Sequence, residues 1–294
     1  MKIPILLLFI SGLAHGQSSD KEVFHIRYGT TPISPATDRD VVHTIDMNVR
    51  FPLLVRDKTI VAGGLGYETL WTNHFPLFSG NSVQGISMQG LLNRNMGNNR
   101  ALLMAGSVGI YSDFKDVSGE DFRYAFGVRY KMKLHEKFTM SYGLGISKQF
   151  FGVMVAPFID FDWAMTSRLR LSGPLPINTR LRYTLSNQGE VMLFIKPDNA
   201  TYRLSEETYA SRYFQRKQWN VGLGFDYLLS RHWLLAIKGG YSLRRKFEIY
   251  DASQTGVLSI FTFDLRGGSR TPSYQYEEKA LFAEITLAWI IAKD

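Results

Sequence analysis

Apolar and polar residues alternate along most of the chain, in segments of about ten residues that each end in a short turn. In residues 122–132, the clearest segment, the even positions hold large apolar side chains and the odd positions hold charged or very small ones. A period of two residues predicts β-strands with two different faces. Such strands fit either a soluble β-sandwich with an aromatic core or a membrane barrel with an aromatic lipid face. The Gly and Ser residues opposite the bulky positions of 139–147 would form a poor solvent surface but a good lumen, which favours the barrel.

The connectors between segments alternate between short and long, as in outer-membrane barrels, where short turns face the periplasm and long loops face outward. The fold class predicted is therefore all-β: a transmembrane antiparallel up-and-down β-barrel with both termini in the periplasm. Fourteen strands result if residues 23–28 form a strand and if residues 169–171 and 177–185 form a short pair. Twelve strands is the alternative, because proline disfavours strand interiors. The short connectors are 56–58, 94–99, 134–137, 166–168, 186–189 and 230–232, and the long ones are 31–40, 72–82, 113–120, 204–213 and 251–277.

The first 16 residues have the composition of a cleavable signal peptide. Lys2 gives a positive start, residues 3–13 are mostly apolar, and Ala14 and Gly16 are the small residues that precede a cleavage site. No later stretch reaches 18 apolar residues, so helical membrane spans are excluded. We expect a signal peptide at 1–16 and a single barrel domain at 17–294, located in the outer membrane of a Gram-negative bacterium.

The charge of the chain gives little indication of a partner. Cleavage would leave 33 basic and 26 acidic residues, a net charge of +7, but the basic residues are spread over the strands without a cluster. Nucleic-acid binding is therefore disfavoured. The chain has no cysteine, so disulfides and an acylated cysteine anchor are excluded. The partners expected are outer-membrane lipid, the barrel-assembly machinery and small polar solutes.

Three sequence motifs carry a resemblance to a protein family: LSGPLP at 171–176, IKPDNATYRL at 195–204 and GGYSLRRKFEIYD at 239–251. With them, the chain resembles an uncharacterised family of outer-membrane β-barrel proteins from Bacteroidota. The resemblance extends over most of the chain beyond the signal peptide. It implies the fold and the location, and it implies no assigned activity.

The sequence holds little that would support catalysis or metal binding. The six histidines are His15, His25, His43, His74, His135 and His232, and no two have ligand spacing on one strand. No nucleophile elbow, P-loop or dinucleotide-binding fingerprint is present. His74, Ser87 and Ser107 are candidate parts of a membrane-embedded hydrolase, but no spacing links them. We therefore expect no enzyme activity, no metal and no cofactor, with the hydrolase as the least favoured alternative.

Strand alternation assigns a mixed set of charges to the lumen. Either these charges pair and fill the interior, or they form the acidic and basic walls of a pore. We favour a pore for small polar solutes, with a closed barrel whose loops bind a partner or a polysaccharide as the alternative. The residues predicted to line the lumen are Asp46, Glu68, Asp160, Asp162, Asp226 and Glu284, and Arg50, Arg123, Arg129, Lys131, Lys238 and Arg244.

Residues 257–263, within the longest connector, form an apolar, β-prone run that should not stand alone in water. Two arrangements would cover it. The run could extend a hairpin above the membrane, or it could fold inward and constrict the lumen.

Overall fold

The computed structural model describes residues 22–33, 40–73, 82–175, 177–205, 212–266 and 270–291. The predicted signal peptide and His74 lie outside these ranges. Apart from one short 3₁₀ helix, Gly119–Asp121, the regular structure described consists of β-strands. Within these ranges, no helix is long and apolar enough to cross a membrane.

The alternating segments of the sequence fold as β-strands. The strands are β1 (Glu22–Ile33), β2 (Asp40–Arg56), β3 (Thr59–Trp71), β4 (Ser82–Gly97), β5 (Arg100–Ser112), β6 (Phe122–His135), β7 (Phe138–Gln149), β8 (Gly152–Ala164), β9 (Leu169–Leu175), β10 (Thr179–Thr184), β11 (Gly189–Leu204), β12 (Arg212–Leu228), β13 (Trp233–Asp251), β14 (Val257–Ile260), β15 (Phe263–Arg266), β16 (Tyr274–Glu277) and β17 (Ala280–Ile290).

Fourteen strands, β1–β13 and β17, form a closed antiparallel barrel. Successive strands pair with each other, and β17 closes the barrel by pairing with β13 on one side and β1 on the other. The prediction of a 14-stranded up-and-down barrel is confirmed. One end, here called the turn end, carries the connectors 57–58, 98–99, 136–137, 165–168, 185–188 and 229–232, and the opposite end is called the loop end.

The outer surface of the barrel is an exposed apolar band. Ile26, Leu65, Met88, Phe126 and Leu144, on five different strands, are all exposed large hydrophobic residues. A membrane barrel presents such a band to lipid and flanks it with aromatic side chains. The alternation in the sequence therefore separates a lipid face from a lumen face.

One side of the barrel wall has a notch above β9 and β10. β9 pairs with β8 only from Ile159 to Ala164, although β8 begins at Gly152. β10 pairs with β11 only up to Ile195, although β11 continues to Leu204. The halves of β8 and β11 nearest the loop end therefore lack a barrel neighbour on their facing edges, and the term notch is used below for this gap.

The β14–β15 hairpin closes the notch. β14 pairs in parallel with the start of β8, over Gly152–Val155. On the other side, the Asn199 side-chain amide of β11 donates a hydrogen bond to the Phe261 carbonyl oxygen, at 2.8 Å. The apolar run 257–263 thus patches the side wall, which differs from both arrangements that the sequence suggested.

An apolar cluster, called the loop-end cluster, fills part of the interior near the loop end. It packs the ends of β1–β5 against β11–β13, because β11 leans inward and pairs with β5 between Arg203 and Ser112. Large side chains therefore occupy this end of the barrel, whereas the middle remains polar. The buried members are Ile33, Val42, Leu70, Val83, Tyr111, Ala200, Tyr202, Leu204, Phe214, Phe247 and Ile249.

Candidate channel lumen

The wall formed by β3–β5 exposes very small side chains to the interior. Since these residues occupy so little volume, they leave a space beside the wall, called the first cavity. The first cavity holds about 930 Å³ of empty space, part of it continuous with solvent. The small residues that line it include Gly64, Gly66, Gly85, Ser87, Ala105 and Ser107.

Two glycines on this wall make room for the Tyr111 ring. A Cβ on Gly85 would lie 2.4 Å from Tyr111 Cδ1, and a Cβ on Gly109 would lie 2.8 Å from Tyr111 Cε2. Neither distance is possible for a real side chain without displacement of the ring. The Gly residues of β4 and β5 therefore fix Tyr111 flat against the wall.

The adjoining part of the barrel wall, which begins at β2 beside β3, carries a compact ion-pair network centred on Arg27, called the Arg27 network. Arg27 contacts Asp46 Oδ1 and Glu284 Oε1, each at 3.2 Å. His25 Nε2 lies 2.6 Å from Asp46 Oδ1, and Lys238 Nζ lies 3.4 Å from Glu284 Oε1. The strands β1, β2, β13 and β17 adjoin each other where the barrel closes, so their inward positions bring these charges together.

A second empty space, called the second cavity, lies between β5–β8 and the inward-leaning part of β11. It holds about 1050 Å³ and shares Ser107, Tyr111 and Ala125 with the first cavity. Its polar lining includes Arg123, Gln149 and Lys196. The two cavities therefore meet beside Tyr111, and together they follow the wall around the loop-end cluster.

Arg123 is the most enclosed cation of the second cavity. Its guanidinium carbon lies 3.4 Å from the Tyr111 ring centroid and 5.7 Å from that of Tyr202. One terminal nitrogen, Nη1, donates hydrogen bonds to Gln149 Oε1 at 3.0 Å and to Thr201 Oγ1 at 3.3 Å. Arg123 is thus held between aromatic rings and neutral acceptors.

Most of the residues predicted to line the lumen lie on the inward side of the barrel in the structure. Asp46, Lys238 and Glu284 belong to the Arg27 network. Arg129 and Asp160 form an ion pair with a distance of 2.9 Å. Glu68 accepts a hydrogen bond from the Tyr202 hydroxyl across the barrel. Asp162 pairs with Arg170 near the turn end. Arg50 lines the first cavity and Arg123 lines the second cavity. Asp226 lies among the cations Lys238, Arg180 and Arg182. Lys131 lies on the same face of β6 as Arg129.

Arg244 requires a correction, because a β-bulge reverses its direction. Trp219 of β12 pairs with Arg244, but the next residue, Asn220, pairs with Ser242. Leu243 is therefore an extra residue in β13. Beyond this extra residue the inward face passes to Arg245, which is buried and donates to the Pro32 carbonyl oxygen at 2.8 Å. Arg244 instead lies on the outer side, where it pairs with Glu277 of β16.

Several interior residues were missed from the sequence because their strands received no face assignment. Arg27 alternates with the outward Ile26 and Tyr28 on β1, so the signal that identified the other strands was present there. Arg180 and Arg182 alternate in the same way on β10. The positions of Lys196 and Asp198 depend on the path of β11, which no local pattern indicates.

The described part of the chain holds no group of three His, Asp or Glu side chains arranged to bind a metal ion. Ser87 lines the first cavity and Ser107 lines both cavities, while His74 lies outside the described residues. The positions of Ser87 and Ser107 therefore give no support to the hydrolase alternative.

The amino-acid sequence matches a known family over more than half of its length. The profile of a domain of unknown function, DUF6268, matches residues 83–262. The chain belongs to this family. A comparison with curated proteins gives no match.

Among solved structures, the similarity is one of fold at low sequence identity. The KdgM porin in complex with disordered oligogalacturonate is 7% identical, with a TM-score of 0.37, 90% of this chain covered and 98% of that chain. An outer membrane channel from Pseudomonas putida F1 is 8% identical, with a TM-score of 0.44 and 91% and 95% covered. A Pseudomonas aeruginosa FadL homologue is 10% identical, with a TM-score of 0.41 and 91% and 89% covered.

The family match covers the two cavities differently. All the residues that line the second cavity, from Ser107 to Thr262, lie within the matched range. The first cavity and the Arg27 network also need β1–β3 and β17, which lie outside it.

Proposed function

We propose that this protein is an outer-membrane channel that passes small polar solutes through the barrel interior. The first cavity carries the proposal: it is a space inside a transmembrane barrel that is lined by the small residues of β3–β5 and by charged residues of the adjoining Arg27 network. Small residues leave room for solute and water, and charged groups substitute for part of the solute hydration. Lipid and the barrel-assembly machinery are partners in the same proposal.

The arrangement of charges supports passage of polar solutes rather than mere filling of the interior. The Arg27 network lies on one side of the lumen and its ion pairs are formed within the protein. The small-residue wall beside it carries Gln89 and Ser87, which are neutral hydrogen-bonding groups that a solute can contact without breaking an ion pair. A wall of this kind suits weak and transient contacts, which conduction requires.

The test is single-channel conductance of the refolded protein in planar bilayers, with Gln89→Glu and Gln89→Lys as a matched pair. Both variants keep the side chain long and polar, and they place opposite charges in the first cavity. We expect a steady conductance in the native chain, a shift toward cation selectivity with Gln89→Glu and a shift toward anion selectivity with Gln89→Lys. Gln275→Glu and Gln275→Lys, on the exposed surface of β16, are the controls and should leave selectivity unchanged.

The loop-end cluster favours a second candidate function, a closed barrel whose outer loops bind a partner. Eleven buried hydrophobic residues at one end of the interior would obstruct an axial path. A correctly folded barrel without conductance would support this candidate and overturn the channel. Folding is verified independently by the shift in electrophoretic mobility of the barrel between unheated and heated samples.

A further inference from the structure

We propose that the second cavity is a binding site for a single-chain amphiphile with an anionic headgroup, which enters through the notch between β8 and β11. The headgroup would bind Arg123 and Lys196, and the chain would lie behind the β14–β15 hairpin. This inference goes beyond the channel, since it concerns another cavity, another class of ligand and a route from the bilayer.

The first step is the electrostatic state of Arg123. Arg123 is only 8% exposed, and the contacts of its guanidinium among the described residues are to tyrosine rings and neutral oxygen atoms. Its Nε atom is buried and has no hydrogen-bond partner within the same part of the chain. A buried cation without a counter-charge is unfavourable, so a bound anion would offset a cost already present in the protein.

Lys196 adds a second positive charge to the same cavity. It lines the cavity, and its charge also interacts with the carboxylates of Asp198, Glu284 and Asp46. The one carboxylate that lines the cavity, Asp198, is already held by Arg216 at 2.6 Å and by Gln218 at 3.4 Å. Arg123 is therefore the lining cation whose described contacts are all neutral, and Lys196 adds positive charge that these carboxylates partly offset.

The second step is the apolar side of the cavity, which faces the notch. The cavity is lined by Met154 and Ala156 of β8, by Ile177 between β9 and β10, and by Phe261 of the hairpin. Beyond them, the outer side of the notch is also apolar and exposed. Its large exposed residues are Val153, Leu258, Phe263 and Leu265. A ligand that spans this path must combine an anionic end with an apolar chain.

The third step is the attachment of the hairpin, which differs from that of the barrel strands. β14 pairs with only four residues of β8, while β6 and β7 pair over most of their length. The turn places Phe261 at a positive φ of 54°, a conformation unfavourable for a large side chain. Trp219 Nε1 and Asn199 Nδ2 each donate one hydrogen bond to this turn. Because β9 and β10 already connect β8 to β11, displacement of the hairpin from the notch would leave the 14-stranded barrel closed.

The experiment uses the refolded full barrel in lipid nanodiscs and three photoreactive probes: diazirine-labelled dodecanoate, dodecyltrimethylammonium and butanoate. The crosslinked peptides are located by mass spectrometry. We expect dodecanoate to label peptides that contain Met154 or Phe261. Arg123→Gln with Lys196→Gln should lower that labelling at least about tenfold, which corresponds to the loss of one charge-assisted hydrogen bond.

The controls separate the headgroup, the chain and the fold. Lys131→Gln, on the inward face of the same strand as Arg123, should leave labelling unchanged, and Arg123→Lys should retain part of it. Equal labelling by the cationic probe, or unchanged labelling of the double variant, would overturn the site. Labelling by butanoate as strong as that by dodecanoate would overturn the amphiphile and the lateral route.

A disulfide tests the route independently of the channel. The chain has no cysteine, and Val153 and Leu258 are paired residues on exposed positions of β8 and β14. In Val153→Cys with Leu258→Cys, oxidation should abolish dodecanoate labelling and reduction should restore it, with lumen conductance the same in both states. Labelling that persists in the oxidised barrel would overturn entry through the notch, whereas an absence of conductance bears only on the proposed channel.

Discussion

Arg27 and Arg123 occupy similar depths in the same barrel and differ in what surrounds them. Arg27 is 7% exposed and Arg123 is 8% exposed. Arg27 contacts two carboxylates, whereas Arg123 contacts tyrosine rings and neutral oxygen atoms. Burial therefore does not distinguish the two sites, but charge compensation does.

This difference separates a structural charge from one available to a ligand. In the Arg27 network each charge that is lost leaves an opposite charge buried, so the network stabilises the contact between β1 and its neighbours β2 and β17. In the second cavity the loss of Arg123 leaves no contacting carboxylate behind. Charges of the first kind are expected to govern folding, and charges of the second kind are expected to govern binding.

The largest expected effect is that of Arg27→Met. The substitution leaves Asp46 and Glu284 with less positive charge in a buried environment, and breaking a buried pair typically costs about 3 kcal/mol or more. We expect this loss in the free energy of unfolding, measured by guanidinium titration in phospholipid vesicles. A loss below about 1 kcal/mol would show that the network contributes no more than an exposed pair does.

A weaker effect is expected from Asn199→Leu, which removes a hydrogen bond between β11 and the hairpin turn. The Phe261 carbonyl oxygen loses the amide donor, and a net hydrogen bond is worth about 1 kcal/mol. Backbone amides of β14 should therefore exchange hydrogen roughly fivefold faster, while those of β6 and β7 keep their rates. Faster exchange throughout the barrel would contradict a separately attached hairpin.

The sequence predicted the strands because alternation is a local property. Residues 122–132 show their two faces without reference to any other part of the chain, and they form most of β6, from its first residue onward. Arg129 and Asp160 were placed inside by alternation alone, and in the structure they pair with each other. The barrel and the inward positions of its regular strands are therefore available from local pattern.

Features that depend on pairing between distant residues were not available. The bulge in β13 reverses Arg244 through a register shift against β12, and the alternation of β13 gives no sign of it. The contact of Tyr202 with Glu68 joins residues 134 positions apart, and β14 pairs in parallel with β8 across a similar separation. Such contacts depend on how the barrel closes and on the short lengths of β9 and β10. The positions of the two cavities could therefore not be predicted from the local sequence pattern.

A smaller effect is expected from Arg123→Met, the matched counterpart of Arg27→Met. The substitution removes two neutral hydrogen bonds, but it also removes a buried cation that lacks a carboxylate, so the free energy of unfolding should change by less than about 1 kcal/mol. The same guanidinium titration measures both variants. A loss as large as that of Arg27→Met would mean that Arg123 is structural, and it would remove the contrast between the two cavities.

The smallest effect is expected from Arg244→Glu, which tests the bulge. Arg244 is largely exposed on the outer side of β13, and its partner Glu277 is exposed too, so their ion pair contributes little to stability. The change of charge should alter the free energy of unfolding by less than about 1 kcal/mol and leave the ion selectivity of the proposed channel at its native value. Gln89→Glu, which places the same carboxylate in the first cavity, is the positive control in the same bilayer measurement. A selectivity shift from Arg244→Glu comparable to that of Gln89→Glu would place Arg244 in the lumen, as strict alternation predicts, and the reversal at the bulge would be wrong.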